Sequence, residues 1–311
     1  MNALGSAATA EERNLEAAIR KIDAWKGRAV TYERIPAGIT NVNWQIVVGE
    51  GGDTYFLKVP GAGTELFIDR KAAHDANLKA AALGIGPRVD FYLPEDDVEV
   101  FEFLSGYRSC TVDDFLDPAL QLNTLHAFKR LHAGPRFTLT KTYFDMIEEH
   151  RRQAAELGAP LPPDIDWMMW HYGRARHALE AAGLDLVPCM NDTYVIDFMA
   201  NERKEVKFVD FEYASNNDRC SELAIWFCEV FFSDATQDRM LEAYFGSVRR
   251  EIKARVAIYK GLLFVKWTMW AAIQRRISTL PFDFYKYGSW LALRARHHIR
   301  DWRWEEYLSS L

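Results

Sequence analysis

Cysteine is scarce and scattered in this 311-residue chain: Cys110, Cys189, Cys220 and Cys228 form no Cys-x-x-Cys pair. That spacing excludes a disulfide framework or a zinc ribbon, and four free thiols in a reducing, cytoplasmic compartment are expected. Basic charge is not in excess either. Only 38 Lys and Arg stand against 44 Asp and Glu, a net charge of −6, which speaks against binding nucleic acid by displacing counterions from its phosphates. The most apolar stretches fall short of a membrane span, because Leu223–Phe232 contains Glu229 and Gly261–Ala272 contains Lys266. Residues 1–10 show no basic segment leading into an apolar one, so no secretory signal is expected. Internal repeats and low-complexity tracts are lacking, as are Gly-x-Ser-x-Gly and His-Glu-x-x-His, which removes the serine-hydrolase and zincin readings. The eight histidines have no metal-ligand spacing with the cysteines and are read as surface or internally satisfied residues.

Aromatics, by contrast, are plentiful: ten Trp, thirteen Tyr and nineteen Phe, enough to fill a core or to line a site for an organic cation. Apolar residues at Leu15, Ala18, Ile19, Ile22 and Trp25 predict an amphipathic helix over 11–26. Alternation then predicts strands Asn43–Val48 and Thr54–Val59 around the turn residues 49–53. A helix is expected over about 64–83, stopped by Gly84-Ile-Gly-Pro87, and two more strands at Arg88–Leu93 and Val98–Leu104. Beyond Ser105-Gly106 the pattern is helical except at 186–213, where Leu186–Cys189 and Val206–Phe211 read as short strands. The reading is α+β and two-lobed: a small β-rich lobe over 1–104 and a larger, mostly helical lobe over 105–311, around a cleft.

The interruption at 186–213 carries the chemistry. Asp192 and Asp197 lie five residues apart on a loop after the first strand, and Asp210 ends the second, eighteen residues after Asp192. A hairpin of that length returns the carboxylates to one another. Taken singly, each aspartate is an ordinary turn or strand-end residue. As a set, followed by Glu212 and Tyr213, they suit phosphoryl transfer from ATP, in which one carboxylate orients the attacking hydroxyl and others hold Mg²⁺ against the phosphates.

Cys189-Met-Asn-Asp-Thr-Tyr-Val-Ile-Asp-Phe198 and Phe208-Val-Asp-Phe-Glu-Tyr213 resemble the catalytic-loop and metal-binding motifs of the choline/ethanolamine kinase family, relatives of aminoglycoside phosphotransferases and of protein kinases. The resemblance runs over about residues 35–300 and implies a protein-kinase-like fold. It implies Asp192 as catalytic base and Asp210 as Mg²⁺ ligand. Asp197 stands where the family has Asn, which keeps an oxygen donor for the metal and adds charge. Met190 stands where the family has His, and a thioether cannot make the ring's hydrogen bond, so a support of the catalytic loop is expected to be lost.

Residues 37–44, Ala-Gly-Ile-Thr-Asn-Val-Asn-Trp, resemble the family's phosphate loop, which implies ATP contacts from Gly38, Thr40, Asn41 and Asn43. Lys58, on a strand otherwise fit for burial, resembles the family's phosphate-binding lysine. Its usual helical Glu partner is missing, leaving Asp69 or Asp75 as substitutes. Phe101–Leu104 matches the stretch expected to meet adenine. Trp267 and Trp270 share one helix face by their three-residue spacing, and with Tyr287, Tyr213 and Glu229 they resemble the family's choline pocket, where ring faces hold a cation that has no N–H to donate. The implied acceptor is choline or a related cationic amino alcohol, and family members are often dimeric. An aminoglycoside, thiamine or other small-alcohol acceptor remains an alternative, as does a catalytically weakened protein that only binds a quaternary ammonium or a nucleotide.

Overall fold

The structure is a computed structural model that describes residues 1–36, 41–61 and 63–311. The expected alternation is realised in an antiparallel sheet of six strands, β1 (Asn2–Ala3), β2 (Val30–Ile35), β3 (Asn41–Val48), β4 (Asp53–Pro60), β5 (Val89–Leu93) and β6 (Val98–Glu102), ordered β1-β2-β3-β4-β6-β5. Period-two spacing turns Tyr32, Trp44, Ile46, Leu57 and Val100 to one face, and helix α1 (Ala10–Lys21) covers it with Leu15, Ala18 and Ile19. A capping box at Thr9 and Glu12 starts α1. The same parity turns Asn43, Lys58 and Glu99, paired across neighbouring strands, to the opposite face.

Helix α2 (Arg70–Ala82) crosses between sheet and helices. Asp69 caps it by accepting from the Ala72 N–H, so the helix starts six residues later than expected, behind a short 3-10 turn at Thr64–Leu66. Its Ala76 and Ala80, with Ile85 beyond it, join the larger of two hydrophobic clusters. That cluster is built by α3 (Pro118–His132), α4 (Tyr143–Glu156), α5 (Ile165–Ala181), α6 (Arg219–Glu229), α7 (Asp234–Phe245), α8 (Arg250–Ile277), α9 (Phe284–Ile299) and α10 (Trp304–Ser309). The 28-residue α8 is its axis, buried from Gly261 through Gln274. A Cβ on Gly288 would sit 3.1 Å from the Ala271 Cβ, so glycine is what lets α9 lie close against α8.

Short strands frame the loops of interest. β7 (Arg108–Ser109), β9 (Phe198–Ala200) and β10 (Val206–Phe208) form one antiparallel sheet, and β8 (Leu186–Cys189) pairs with β11 (Ser215–Asp218) in another. The expected strand Val206–Phe211 stops at Phe208, because Asp210 adopts a left-handed φ of 70° that no ladder accommodates.

Candidate active site

Two loops leave these short strands toward the six-stranded sheet, and each is fixed by backbone hydrogen bonds. In the first, Asn191 is also left-handed, with φ 64°. Such a conformation in a non-glycine residue needs its surroundings to hold it. They do so here. The Asn191 side chain donates to the Tyr213 carbonyl and the Ser215 hydroxyl, both at 2.8 Å, and accepts from Asn217 at 2.9 Å. The Tyr143 hydroxyl donates to its carbonyl at 3.1 Å. Fully buried Glu222 accepts the backbone N–H groups of Met190 and Asn191 at 2.5 and 3.1 Å. The support expected to be lost because Met190 stands in place of a histidine is supplied to the backbone by Glu222 on α6. Behind it, His132 and Cys189 come within ligand range of Glu222, but His132 Nδ1 pairs with the Tyr244 hydroxyl at 2.7 Å, so the trio reads as a brace for the loop.

Lys58 reaches from β4 across to the second loop. Its Nζ lies 2.6 Å from Asp210 Oδ1 and 3.1 Å from Glu212 Oε1. Glu212 also accepts from Asn41, at 2.9 Å, and from Arg70. Neither expected partner serves Lys58: Asp69 is the cap of α2, and Asp75 takes Lys79 and the Thr138 N–H. Burial pushes the Lys58 ammonium down, but the Asp210 and Glu212 carboxylates outweigh it and hold it above the usual lysine range. Glu99, opposite Lys58 on β6, is engaged by His74 at 2.7 Å and Asn77 at 2.8 Å.

Lys58, Asp197 and Asp210 line the inner end of a cavity of about 270 Å³ between the sheet and the helices, with Asn43, Phe56 and Phe101 along its sheet side and Leu104 and Ile196 near the crossing. Of the phosphate-loop residues expected from sequence, Asn41 and Asn43 begin β3, whereas Gly38 and Thr40 lie outside the described residues.

The acids at this end of the cleft repel one another. Burial first, then Asp210, Glu229 and Glu212, push Asp192 up to about 7 against the pull of Lys266. Burial, then Asp210 and Asp192, hold Asp197 well above the usual carboxylate range. Asp210 is raised too, mainly by burial, with Lys58 opposing. Carboxylates this reluctant to ionise together leave positive charge to be supplied. Oxygen donors of that kind fit a hard divalent cation, and Asp197 and Asp210 are the residues that would hold it.

Helix α8 presents the two indoles in the region whose Lys266, Tyr213 and Tyr287 feel the Asp192 carboxylate. Trp267 and Trp270 pack edge-to-face at 5.7 Å, and Trp267 meets the Tyr213 ring at 5.4 Å in the same manner. Tyr287 lies 6.4 Å from Trp270, and the Asp192 and Glu229 carboxylates add to burial in pushing its phenol up. The fold therefore gathers these aromatics beside Asp192. They are nearly sealed, with Trp267 9% and Trp270 3% exposed. The Tyr213 hydroxyl and the Trp270 Nε1 are buried within reach of one another, and neither has a further hydrogen-bond partner among the described residues. Glu229 differs from expectation. Arg294 of α9 takes its carboxylate at 3.0 Å, so it is not a free counter-charge.

Sequence reasoning passed over Glu222, Asn191 and Arg70, which look like ordinary charges and loop amides until the fold joins them. It also noted Lys266 only as a break in an apolar run. Its ammonium in fact sits 3.4 Å from the Trp267 ring centroid and 4.5 Å from that of Tyr213. A lone lysine amid residues otherwise fit for burial was the available signal.

A family profile described as choline/ethanolamine kinase matches residues 32–244. Ethanolamine kinase 1 of Mus musculus is 27% identical over 85% of this chain and 82% of its own length. Among solved structures, a choline/ethanolamine kinase family protein from Mesorhizobium loti superposes with a TM-score of 0.81 and 26% identity, covering 96% of this chain and 98% of that one. The choline kinase LicA from Streptococcus pneumoniae superposes with a TM-score of 0.77 at 19% identity, over 96% and 100% of the two chains.

Proposed function

The chain belongs to the choline/ethanolamine kinase family, and from that premise we propose that it transfers the γ-phosphoryl group of ATP, with Mg²⁺, to the hydroxyl of choline, ethanolamine or a related amino alcohol. It is a phosphotransferase with an alcohol group as acceptor. The observation that carries the reading is the Lys58–Asp210–Glu212 cluster at the inner end of the cavity, with Asp192 and the aromatic group beyond it.

In this reading the nucleotide occupies the 270 Å³ cavity, base toward Phe101–Leu104 and phosphates toward Lys58. Lys58 offers them a compact positive charge. Asp197 and Asp210 would hold Mg²⁺, which when bound neutralises phosphate charge. Asp192 orients the acceptor hydroxyl and takes its proton. A carboxylate raised to about 7 is a far better proton acceptor at neutral pH than an ordinary aspartate. Trp267, Trp270, Tyr213 and Tyr287 steady the cationic end of the acceptor by their ring faces. The Lys266 nitrogen that lies over the Trp267 and Tyr213 rings supports cation binding at those faces.

The test is an ADP-release assay, with phosphorylated product identified by ³¹P NMR, across choline, ethanolamine, thiamine and kanamycin, with and without Mg²⁺. The proposal expects metal-dependent phosphocholine or phosphoethanolamine. Product from kanamycin or thiamine alone would reassign the acceptor, and no product from any of them would reject the reading.

A further inference from the structure

We propose that Lys266 is a specificity-determining residue whose own ammonium occupies the aromatic cage, so that a cationic acceptor enters only as Lys266 gives up its proton to solvent. The inference rests on the amino-alcohol reading above and deepens it.

The geometry is that of a bound cation. Lys266 Nζ lies over three rings, 3.4 Å from the centroid of Trp267, 4.5 Å from Tyr213 and 5.5 Å from Tyr143. The residue is wholly buried, and its nitrogen has no hydrogen-bond partner among the described residues. An ammonium held only by ring faces is rare in a core, because each of its three N–H groups lost a water on burial. Trp267 and Tyr213 are two of the rings expected to grip the acceptor. Two positive charges cannot share those faces at such distances in a water-poor site without strong repulsion.

The charges facing Lys266 come from several elements. Asp192 of the catalytic loop favours its protonated form, as does Glu149 of α4, whereas Lys141 ahead of α4 opposes it. Asp69, Glu212 and His150 share the small cavity beside it. His150 is held down to about 3, by burial first and then by Lys266, so it stays neutral near pH 7. Burial dominates at Lys266 itself and pushes its ammonium down to about 7. The nitrogen can therefore discharge at neutral pH, which an exposed lysine cannot do.

The consequence is quantitative. Only the discharged form receives a cation, so apparent affinity scales with the fraction of Lys266 that is neutral. Between pH 8 and pH 6 that fraction falls about tenfold for a group titrating near 7.

The experiment compares choline with its uncharged isostere 3,3-dimethylbutanol, by calorimetry at pH 6 and 8, in wild type, Lys266→Met and Lys266→Arg. Lys266→Met is expected to tighten choline about tenfold at pH 6, to change it little at pH 8 and to leave dimethylbutanol unmoved. Lys266→Arg, permanently charged, is expected to weaken choline at both pH values. Spectra of ¹³C-labelled lysine, without any acceptor, are expected to show one resonance titrating near neutrality that Lys266→Met lacks. Thermal melting checks that each variant folds, and Lys266→Gln replaces Lys266→Met should that one not fold. Equal choline affinities in wild type and Lys266→Met at pH 6, or no lysine titrating near neutrality, would overturn the proposal while leaving the kinase reading intact. If the lysine titrates but choline and ethanolamine bind neither wild type nor Lys266→Met, the amino-alcohol reading falls and the proposal with it.

Discussion

On the sheet side of the cleft, positive and negative charges meet directly. Lys58 has Asp210 at 2.6 Å and Glu212 at 3.1 Å, and Glu212 has Arg70 and Asn41 as well. On the α8 side the ammonium of Lys266 lies over ring faces and has no hydrogen-bond partner among the described residues. The first wall is complete without a ligand and opens on a cavity of about 270 Å³. The second is nearly closed, and the Lys266 nitrogen within it has no hydrogen-bond partner among the described residues. The contrast teaches where each kind of specificity resides. In the proposed reading, phosphates and a metal meet a network of paired charges already held in place by the fold. An acceptor must displace something, and its identity depends on what the chain keeps in that place.

The largest effect should fall where the two walls meet. Asp192→Asn keeps the shape of the loop but removes the proton acceptor, and a loss of about 10³–10⁴ in kcat is expected with the acceptor still bound. Steady-state kinetics with calorimetric binding checks this, and near-normal turnover would remove Asp192 from the mechanism. Lys58→Met attacks the charge-balanced wall. It should lower kcat/KM for ATP by about 10²–10³ with a smaller change in acceptor affinity, because Lys58 reaches the acceptor wall only through Glu212 and Asp210. Equal losses toward both substrates would mean the walls are not independent.

Smaller effects probe the supports. Glu222→Gln removes a charged acceptor from the Met190 and Asn191 N–H groups and should cost about 1.5–3 kcal/mol in urea unfolding. Undiminished stability would show that the catalytic loop needs no such brace. The last effect is a pH dependence, silent at neutral pH and felt only in acid. Burial, before any neighbouring charge, holds His150 and His298 down to about 3. An unfolded histidine titrates near 6.5. Below that pH the unfolded chain takes up protons that the folded chain refuses, so stability is lost as pH falls from about 6.5 toward 3. The slope is at most about 1.4 kcal/mol per pH unit for each histidine. Both lie in the helical region, and no histidine belongs to the hydrophobic cluster under the sheet among the described residues. Hydrogen exchange at pH 7 and pH 5 should therefore show protection falling in α4 and α9 before β3 and β4.

How much of this was legible in the sequence differs between the walls in the same way. Alternation along β3 and β4 and the helical spacing of Leu15, Ala18 and Ile19 report burial on one face, so sheet and first helix were readable. Lys58 stood out because a charge on an apolar strand needs a reason. The pairing of β8 with β11 was not readable, since Ser215–Asp218 is polar yet wholly buried and is satisfied through side-chain amides that no periodicity records. The start of α2 was misjudged because the Asp69 cap overrides a compositional pattern that begins earlier. Trp267 and Trp270 on one face follow from spacing alone. What occupies that face does not, because Lys266 reaches its rings through a side-chain orientation set by packing on Tyr143 and Tyr213.

The most direct test of the central claim, that the cleft joins a phosphate-binding wall to an acceptor-binding wall across Asp192, is single-turnover ³²P transfer from ATP to choline and ethanolamine in wild type and Asp192→Asn. Rapid, Mg²⁺-dependent label in the amino alcohol with wild type, and none with the variant, is predicted. Label passing only to water, or to the amino alcohol equally in both proteins, would contradict it.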